Sequence, residues 1–117
     1  MPRFVVLEHR WNGVHWDFML EQGNILRTWA IDAPIVEGES LPARALADHR
    51  LAYLDDEGPI SGSRGEVKRV ARGIYEIEVW SDDLIAVTLD SPQLNGKATL
   101  SRAAGTDWSF RFEGNVD

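Results

Sequence analysis

Two of the three histidines in this 117-residue chain lie near its N-terminus, and an aspartate follows the second one, in the pattern His9-x5-His15-x-Asp17. If residues 3–8 and 14–21 are antiparallel strands, alternation places His15 and Asp17 on one face, and the turn returns His9 beside them. Two imidazoles and a carboxylate are a common set of ligands for a divalent transition metal. The spacing predicts a metal site, although polar residues also line a sheet face that is simply exposed to water.

A second group combines Asp48-His49 with Tyr53, four residues further along the chain than His49. Histidine is a general acid near neutral pH, and a phenol can hold a phosphate oxygen. From spacing alone, a surface histidine beside an ordinary core tyrosine is the more frequent arrangement. A different assignment takes His15, Asp17 and His49 as a two-histidine, one-carboxylate iron site and leaves His9 outside it.

The basic residues cluster at Arg64, Lys68, Arg69 and Arg72. On a regular strand, Lys68 and Arg72 would share a face with Arg64, whereas Arg69 would point away. Such runs are usually solvated. The net charge of −7 argues against a wide non-specific duplex-binding face, but a few local phosphate contacts are compatible with it.

Trp11 differs from the other four tryptophans, which the apolar pattern assigns mainly to the core. It lies in the turn between the two candidate histidine ligands. At that place it could stack on a base or shield a metal.

The elements that must position these residues are mostly strands, because the apolar pattern is short, has a period of two and is broken by turn residues. We predict an all-β or β-rich fold: a single closed or nearly closed β-barrel of about eight strands with short helical or irregular connections. The predicted strands are residues 3–8, 14–21, 25–31, 66–70, 73–80, 84–89, 97–102 and 108–113. Residues 40–47 resemble the capped start of a helix, and residues 54–64 a long surface loop.

The composition indicates one domain over residues 1–117, with 44% hydrophobic residues to form its core. The absence of cysteine excludes disulfides, a thiolate nucleophile and cysteine-based zinc or iron–sulfur sites. The apolar run at residues 4–7 is too short for a signal peptide, and no stretch approaches the length of a membrane span. We therefore expect a cytoplasmic protein with no membrane partner.

Several motifs along the chain form a familiar set. They read FVVLEH at 4–9, VHWDFMLE at 14–21, LRTWA at 26–30, DHRLAY at 48–53, EGPI at 57–60 and LNGKATLSR at 94–102. In this order the motifs resemble the 3′-phosphoesterase domain of bacterial DNA ligase D over almost the whole chain. The most specific part is the H-x-D-F-x-L-E core with its upstream histidine and downstream D-H-x-L-x-Y.

The resemblance implies a β-barrel whose polar interior holds a divalent metal, with manganese favoured and zinc or another transition metal possible. By position, His9, His15 and Asp17 match the metal ligands, and His49 and Tyr53 match catalytic residues that contact the reacting phosphate. The implied activity removes a terminal ribonucleotide and a 3′-phosphate at broken DNA ends. The implied partners are nucleic-acid 3′ ends, and a repair ligase or an end-binding protein. We expect a stand-alone copy of a domain that is usually one module of a larger polymerase–ligase.

Three positions depart from the family pattern. Met19 stands where that pattern, H-x-D-x-R-x-E, has an arginine, and Ala33 and Ala47 replace an expected lysine and an expected acid. A guanidinium binds phosphate oxygens with two hydrogen bonds, which a thioether cannot do. Losing one such donor typically costs about 10²–10³ in rate.

We therefore expect that metal binding is retained and that phosphoesterase activity is weak, altered or absent. Replacement charge for binding substrate could come from Arg27, Arg44, Arg64 or Lys68. The alternative function is a non-catalytic module that binds nucleic-acid ends or a repair partner.

Overall fold

The computed structural model describes residues 1–55, 58–59 and 65–115. Ten strands and one short 3₁₀ helix, Leu51–Leu54, lie in these ranges. The strands are β1 Arg3–Arg10, β2 Val14–Gln22, β3 Ile25–Ile31, β4 Ser40–Ala45, β5 His49–Arg50, β6 Gly58–Pro59, β7 Glu66–Trp80, β8 Leu84–Asp90, β9 Asn95–Ala104 and β10 Asp107–Gly114. None of the helical structure in the described residues has the length and apolar character needed to span a membrane.

Eight of the strands form a closed antiparallel ring. The order is β1-β2-β3-β4-β10-β9-β8-β7, and β7 pairs with β1 to close it. The first four strands form one meander and the last four another, and the two meet where β1 pairs with β7 and where β4 pairs with β10. The short strands β5 and β6 pair with β3 and β7 outside the ring. The predicted eight-stranded barrel is confirmed.

The barrel interior is apolar. Alternate residues of all eight ring strands point inward, so that each strand contributes one face to a single core. The inward side chains include the fully buried Phe4, Phe18, Trp29 and Phe110. The polar interior implied by the family resemblance is therefore wrong for this chain, and the polar cluster must lie elsewhere.

A second, smaller apolar cluster covers part of the outer face of the barrel. Its strand residues are Val5, Leu7, Met19, Leu26 and Val67, which belong to β1, β2, β3 and β7. The 3₁₀ helix lies over them and buries its last residue, Leu54, against them. Leu51 and Tyr53 pack around the cluster as partly buried neighbours. The helix therefore acts as a cover on one region of the barrel wall.

Two predicted elements differ from the structure. Residues 40–47 do not begin a helix: Ser40–Ala45 is strand β4, because it pairs with both β3 and β10 and buries Leu41 and Ala43 in the barrel. The predicted strands 66–70 and 73–80 are one strand, β7, which pairs first with β1 and then with β8. Of the predicted loop 54–64, residues 56–57 and 60–64 lie outside the described residues.

Candidate metal centre and phosphate-binding face

One hairpin positions the three candidate ligands. In the pairing of β1 with β2, His9 lies opposite His15, and Leu7 lies opposite Asp17. Residues that face each other across an antiparallel pair point to the same side of the sheet. Because Leu7 belongs to the outer apolar cluster, the three ligands also lie on the outer face of the barrel. One ligand atom from each of His9, His15 and Asp17 lies within 4.8 Å of the others.

The distances inside this group, which we call the triad, are short. His15 Nε2 lies 3.1 Å from Asp17 Oδ1, and His9 Nδ1 lies 3.8 Å from Asp17 Oδ2. The two imidazole rings meet edge to face with their centroids 4.8 Å apart. The Asp17 residue is only 3% exposed, whereas both histidines are half-buried. The carboxylate of the triad is therefore buried, and its two imidazoles remain partly accessible to solvent.

The electrostatics of the triad favour a cation. Asp17 Oδ1 is buried, and it receives no hydrogen bond unless His15 Nε2, 3.1 Å away, carries a proton; an unpaired buried oxygen ordinarily carries a free-energy cost. The neighbouring carboxylate raises the pKa of His15, because a protonated ring donates to Asp17, while burial of the ring opposes this. Two imidazole nitrogens and a carboxylate oxygen with spare acceptor capacity fit a divalent transition metal, with coordination positions left for water or substrate.

The structure brings the His49 and Tyr53 rings into contact. Their rings meet edge to face with centroids 5.3 Å apart, and His49 Nδ1 lies 2.8 Å from the carbonyl oxygen of Ala47. Since a carbonyl only accepts, Nδ1 carries the proton and Nε2 keeps a free lone pair when the ring is neutral. His49 pairs with Leu26 on β3, which places it on the same outer face as the triad.

His49 nevertheless lies further along that face than the triad. Its partner Leu26 is opposite Glu21, four residues from Asp17 on β2, which corresponds to about 13 Å along a strand. Within the described residues, the group of candidate ligands contains His9 and does not include His49. This argues against the alternative iron site built from His15, Asp17 and His49.

Met19 occupies the stretch between these two groups. It is fully buried in the outer apolar cluster, opposite Val5 on β1 and Thr28 on β3. The position at which the family pattern has a phosphate-binding arginine is thus an apolar contact in this chain. The glutamate of the same pattern, Glu21, accepts two hydrogen bonds from the Arg3 guanidinium, at 3.0 and 2.7 Å, and these lower its pKa.

Two arginines flank Asp17 in a single row across the outer face. On one side, Asp17 pairs with Ala30, and Ala30 pairs with Arg44. On the other side, Asp17 pairs with Leu7, and Leu7 pairs with Arg69. Each arginine is two strands from Asp17, about 10 Å across the sheet. Arg44 is half exposed and lies 3.5 Å from the Asp32 carboxylate, which is also half exposed.

Arg69 was missed by sequence reasoning, which placed Lys68 and Arg72 on one face and Arg69 on the other. The pairing of β1 with β7 shifts register between Val6 and Leu7, so that the alternation of β7 reverses at Val70. Arg69 and Arg72 therefore share the triad's face, while Lys68 pairs with Glu8 on the opposite face. No residue type in this stretch is typical of a β-bulge, so the position of Arg69 on this face could not be predicted from the sequence.

The remaining candidates lie away from the triad or outside the described residues. The Arg27 guanidinium lies over the rings of Trp29 and Trp80, at 5.3 and 5.8 Å, and 3.6 Å from Asp48. It shares the inward side of β3 with Trp29, so the structure does not bring it to the triad. Arg64 is not among the described residues. Of the substituted positions, Ala33 packs against the interior core and Ala47 is exposed.

Comparison with known proteins identifies the family of the chain. The model of the DNA ligase D 3′-phosphoesterase domain matches residues 7–102, which include the triad, His49 and Tyr53. The chain belongs to the DNA ligase D 3′-phosphoesterase domain family. The expected resemblance is thereby confirmed.

Relatives of this phosphoesterase-domain chain are found among multifunctional non-homologous end joining proteins called LigD. Those of Mycobacterium bovis and Mycobacterium tuberculosis are each 32% identical over 90% of the chain. That of Mycolicibacterium smegmatis is 29% identical over 91% of it. The chain spans only 15–16% of the length of these relatives, so it corresponds to one part of them.

Proposed function

We propose that the chain is a metal-dependent phosphoesterase that processes DNA 3′ ends during break repair in the cytoplasm, with a turnover lowered by the loss of the family arginine. The observation that carries the proposal is the triad: three donors within 4.8 Å of one another on the accessible outer face of the barrel. The family, and the end-joining proteins in which relatives occur, support DNA 3′ ends as the substrate.

The triad residues His9, His15 and Asp17 would hold the metal ion, for which manganese is the favoured candidate and zinc or another transition metal a further one. When bound, such an ion supplies Lewis acidity toward a phosphoryl oxygen. Arg44 and Arg69 offer positive charge on both sides of the position that the phosphate would take. Two cations beside a developing negative charge stabilise the transition state more than the ground state.

His49 and Tyr53 act on the substrate in this proposal. Because the His49 Nδ1–H group is hydrogen-bonded to the Ala47 carbonyl, Nε2 is the ring atom that faces the leaving oxygen, and the doubly protonated ring would transfer its Nε2 proton to that oxygen. Tyr53 packs against the His49 ring and limits its rotation. As these groups lie further along the outer face than the triad, the scissile phosphate would have to reach across Met19.

A product assay tests the proposal. A primer with a 3′-phosphate is incubated with the protein and Mn²⁺, and formation of the 3′-hydroxyl end is followed on a gel. We expect slow, metal-dependent conversion that is lost in Asp17→Asn and kept in Asp83→Asn, whose carboxylate is exposed and pairs with Arg102 away from the candidate groups. Brisk conversion would show that the argument from Met19 is wrong. Conversion that is unaffected by Asp17→Asn would remove the triad from the reaction.

A second function is favoured by the burial of Met19: binding of DNA ends, or of a repair ligase or end-binding protein at such ends, without turnover. An apolar side chain between the triad and His49 separates the groups that must cooperate in hydrolysis. Metal-dependent binding that weakens steeply with salt, with no product after long incubation, would select this function over the first.

A further inference from the structure

Trp11 presents its indole ring to solvent directly beside the triad. The ring is stacked on His9 with centroids 6.3 Å apart and planes 19° from parallel. His9 in turn meets the ring of His15 at 4.8 Å. Trp11 remains 47% exposed, although it is a large aromatic residue. The rings of His15, His9 and Trp11 therefore form one continuous aromatic surface, and its outer end, the indole, is exposed to solvent.

The hairpin tip holds Trp11 in a defined place. Its backbone N–H donates to the carbonyl of Gly13 at 3.0 Å, across a turn in which Asn12 and Gly13 adopt positive φ angles of 54° and 113°. Gly65, just before β7, backs the same tip. A Cβ atom at residue 65 would lie only 2.8 Å from the Trp11 Cβ and 1.8 Å from the Arg10 carbonyl oxygen. The backbone of the hairpin tip is therefore closely packed against Gly65, and the indole ring faces solvent.

The other four tryptophans have structural positions. Trp29 and Trp108 are buried in the interior core, and Trp16 and Trp80 pack against it as partly buried neighbours. Trp11 belongs to neither apolar cluster in the described part of the chain. Packing of the fold therefore does not account for an indole at this place.

We propose that Trp11 is a base-stacking residue that selects nucleotide ends over small phosphate esters. The inference rests on the proposed function: with the terminal phosphate at the triad, the base of the same 3′-terminal nucleotide would stack on the exposed indole. Stacking of a base on an aromatic side chain is tolerant of sequence, since every base has a π face. Trp11 would therefore give the site a preference for nucleotides without a preference for one base.

The test compares two DNA duplexes that carry the same recessed 3′-phosphate. In one, the terminal nucleotide has its base, and in the other it is abasic. Binding of each is measured by fluorescence anisotropy in Mn²⁺ and in EDTA, with wild type, Trp11→Ala, Trp11→Phe and Ile77→Ala. The Ile77→Ala control removes another exposed apolar side chain, ten residues along β7 from the partner of His9.

Wild type and Ile77→Ala are expected to bind the base-containing end about 5- to 150-fold more tightly than the abasic end. Trp11→Ala should lose this preference while keeping its metal-dependent affinity for the abasic end, and Trp11→Phe should keep part of the preference. Equal, metal-dependent binding of both ends by wild type would overturn the role of Trp11 and leave the proposed function standing. Failure of Mn²⁺ to affect binding of either end would overturn both.

Discussion

Replacing Asp17 by asparagine should remove most of the stabilisation by metal and have little effect without metal. In wild type, a metal ion at 100 times its dissociation constant stabilises the folded state by about 2.7 kcal/mol. For a chain of 117 residues, an unfolding entropy of about 0.25 kcal/mol/K converts this into a rise of about 11 °C in Tm. Because Asp17 supplies the only carboxylate of the triad, Asp17→Asn should abolish most of this rise.

Without metal, the same substitution should have little effect. At a pH at which His15 is neutral, the buried Asp17 Oδ1 receives no hydrogen bond from the His15 ring, so the carboxylate contributes little that an amide of the same shape would lose. We expect the Tm of the metal-free variant to lie within about 4 °C of wild type, which corresponds to about 1 kcal/mol.

Differential scanning fluorimetry with Mn²⁺, Zn²⁺ and EDTA measures both effects, and Asp48→Asn serves as the matched control because its side chain is 53% exposed. The reasoning fails if Asp17→Asn responds to metal as strongly as wild type does. It also fails if the variant is destabilised equally in EDTA and in metal, since Asp17 would then have a purely structural role.

Three further predictions concern the surroundings of the triad. Met19→Ala should cost about 2–5 kcal/mol in urea unfolding, because it empties a fully buried site, whereas Met19→Leu should cost less than about 1.5 kcal/mol. Glu21→Gln should lower stability at pH 7, and its effect should shrink as the pH falls: a carboxyl whose folded-state pKa is lowered by Arg3 stabilises the fold above its unfolded pKa, and this is lost as pH falls through the folded value. A titration of Tm against pH that is parallel for both proteins would contradict this. Arg44→Ala should weaken binding of a 3′-phosphorylated DNA end and reduce the salt slope by about 1, whereas Arg111→Ala, on β10, should leave the slope unchanged.

The barrel and the triad could be predicted because each depends on a local rule. Alternation along residues 14–21 separates Asp17 from Phe18, and a tight turn is enough to return His9 to His15. The alternation did not show which face is the interior. Both faces of β1 and β2 carry apolar residues, since Leu7 and Met19 are buried under the 3₁₀ helix outside the barrel.

The remaining differences come from interactions that are distant in sequence. Residues 40–45 have the composition of a helix start. They form a strand because their backbone pairs with β3 on one side and with β10 on the other. Arg69 reached the triad's face only through the shifted register of β7 against β1. Tertiary pairing decided both outcomes, and local propensity carries no information about it.

The division of the ring into two meanders has a consequence for how the domain folds. All three donors of the triad lie within nine residues of the first meander, but the contacts that close the ring join segments about sixty residues apart. Pairings of such wide separation are slow to form, because the chain loses much conformational freedom before they give any stabilisation. The two long-range seams should therefore limit the refolding rate. A metal ion that binds to the β1–β2 hairpin before the ring closes would then lower the free energy of the partly folded chain as well as that of the folded barrel.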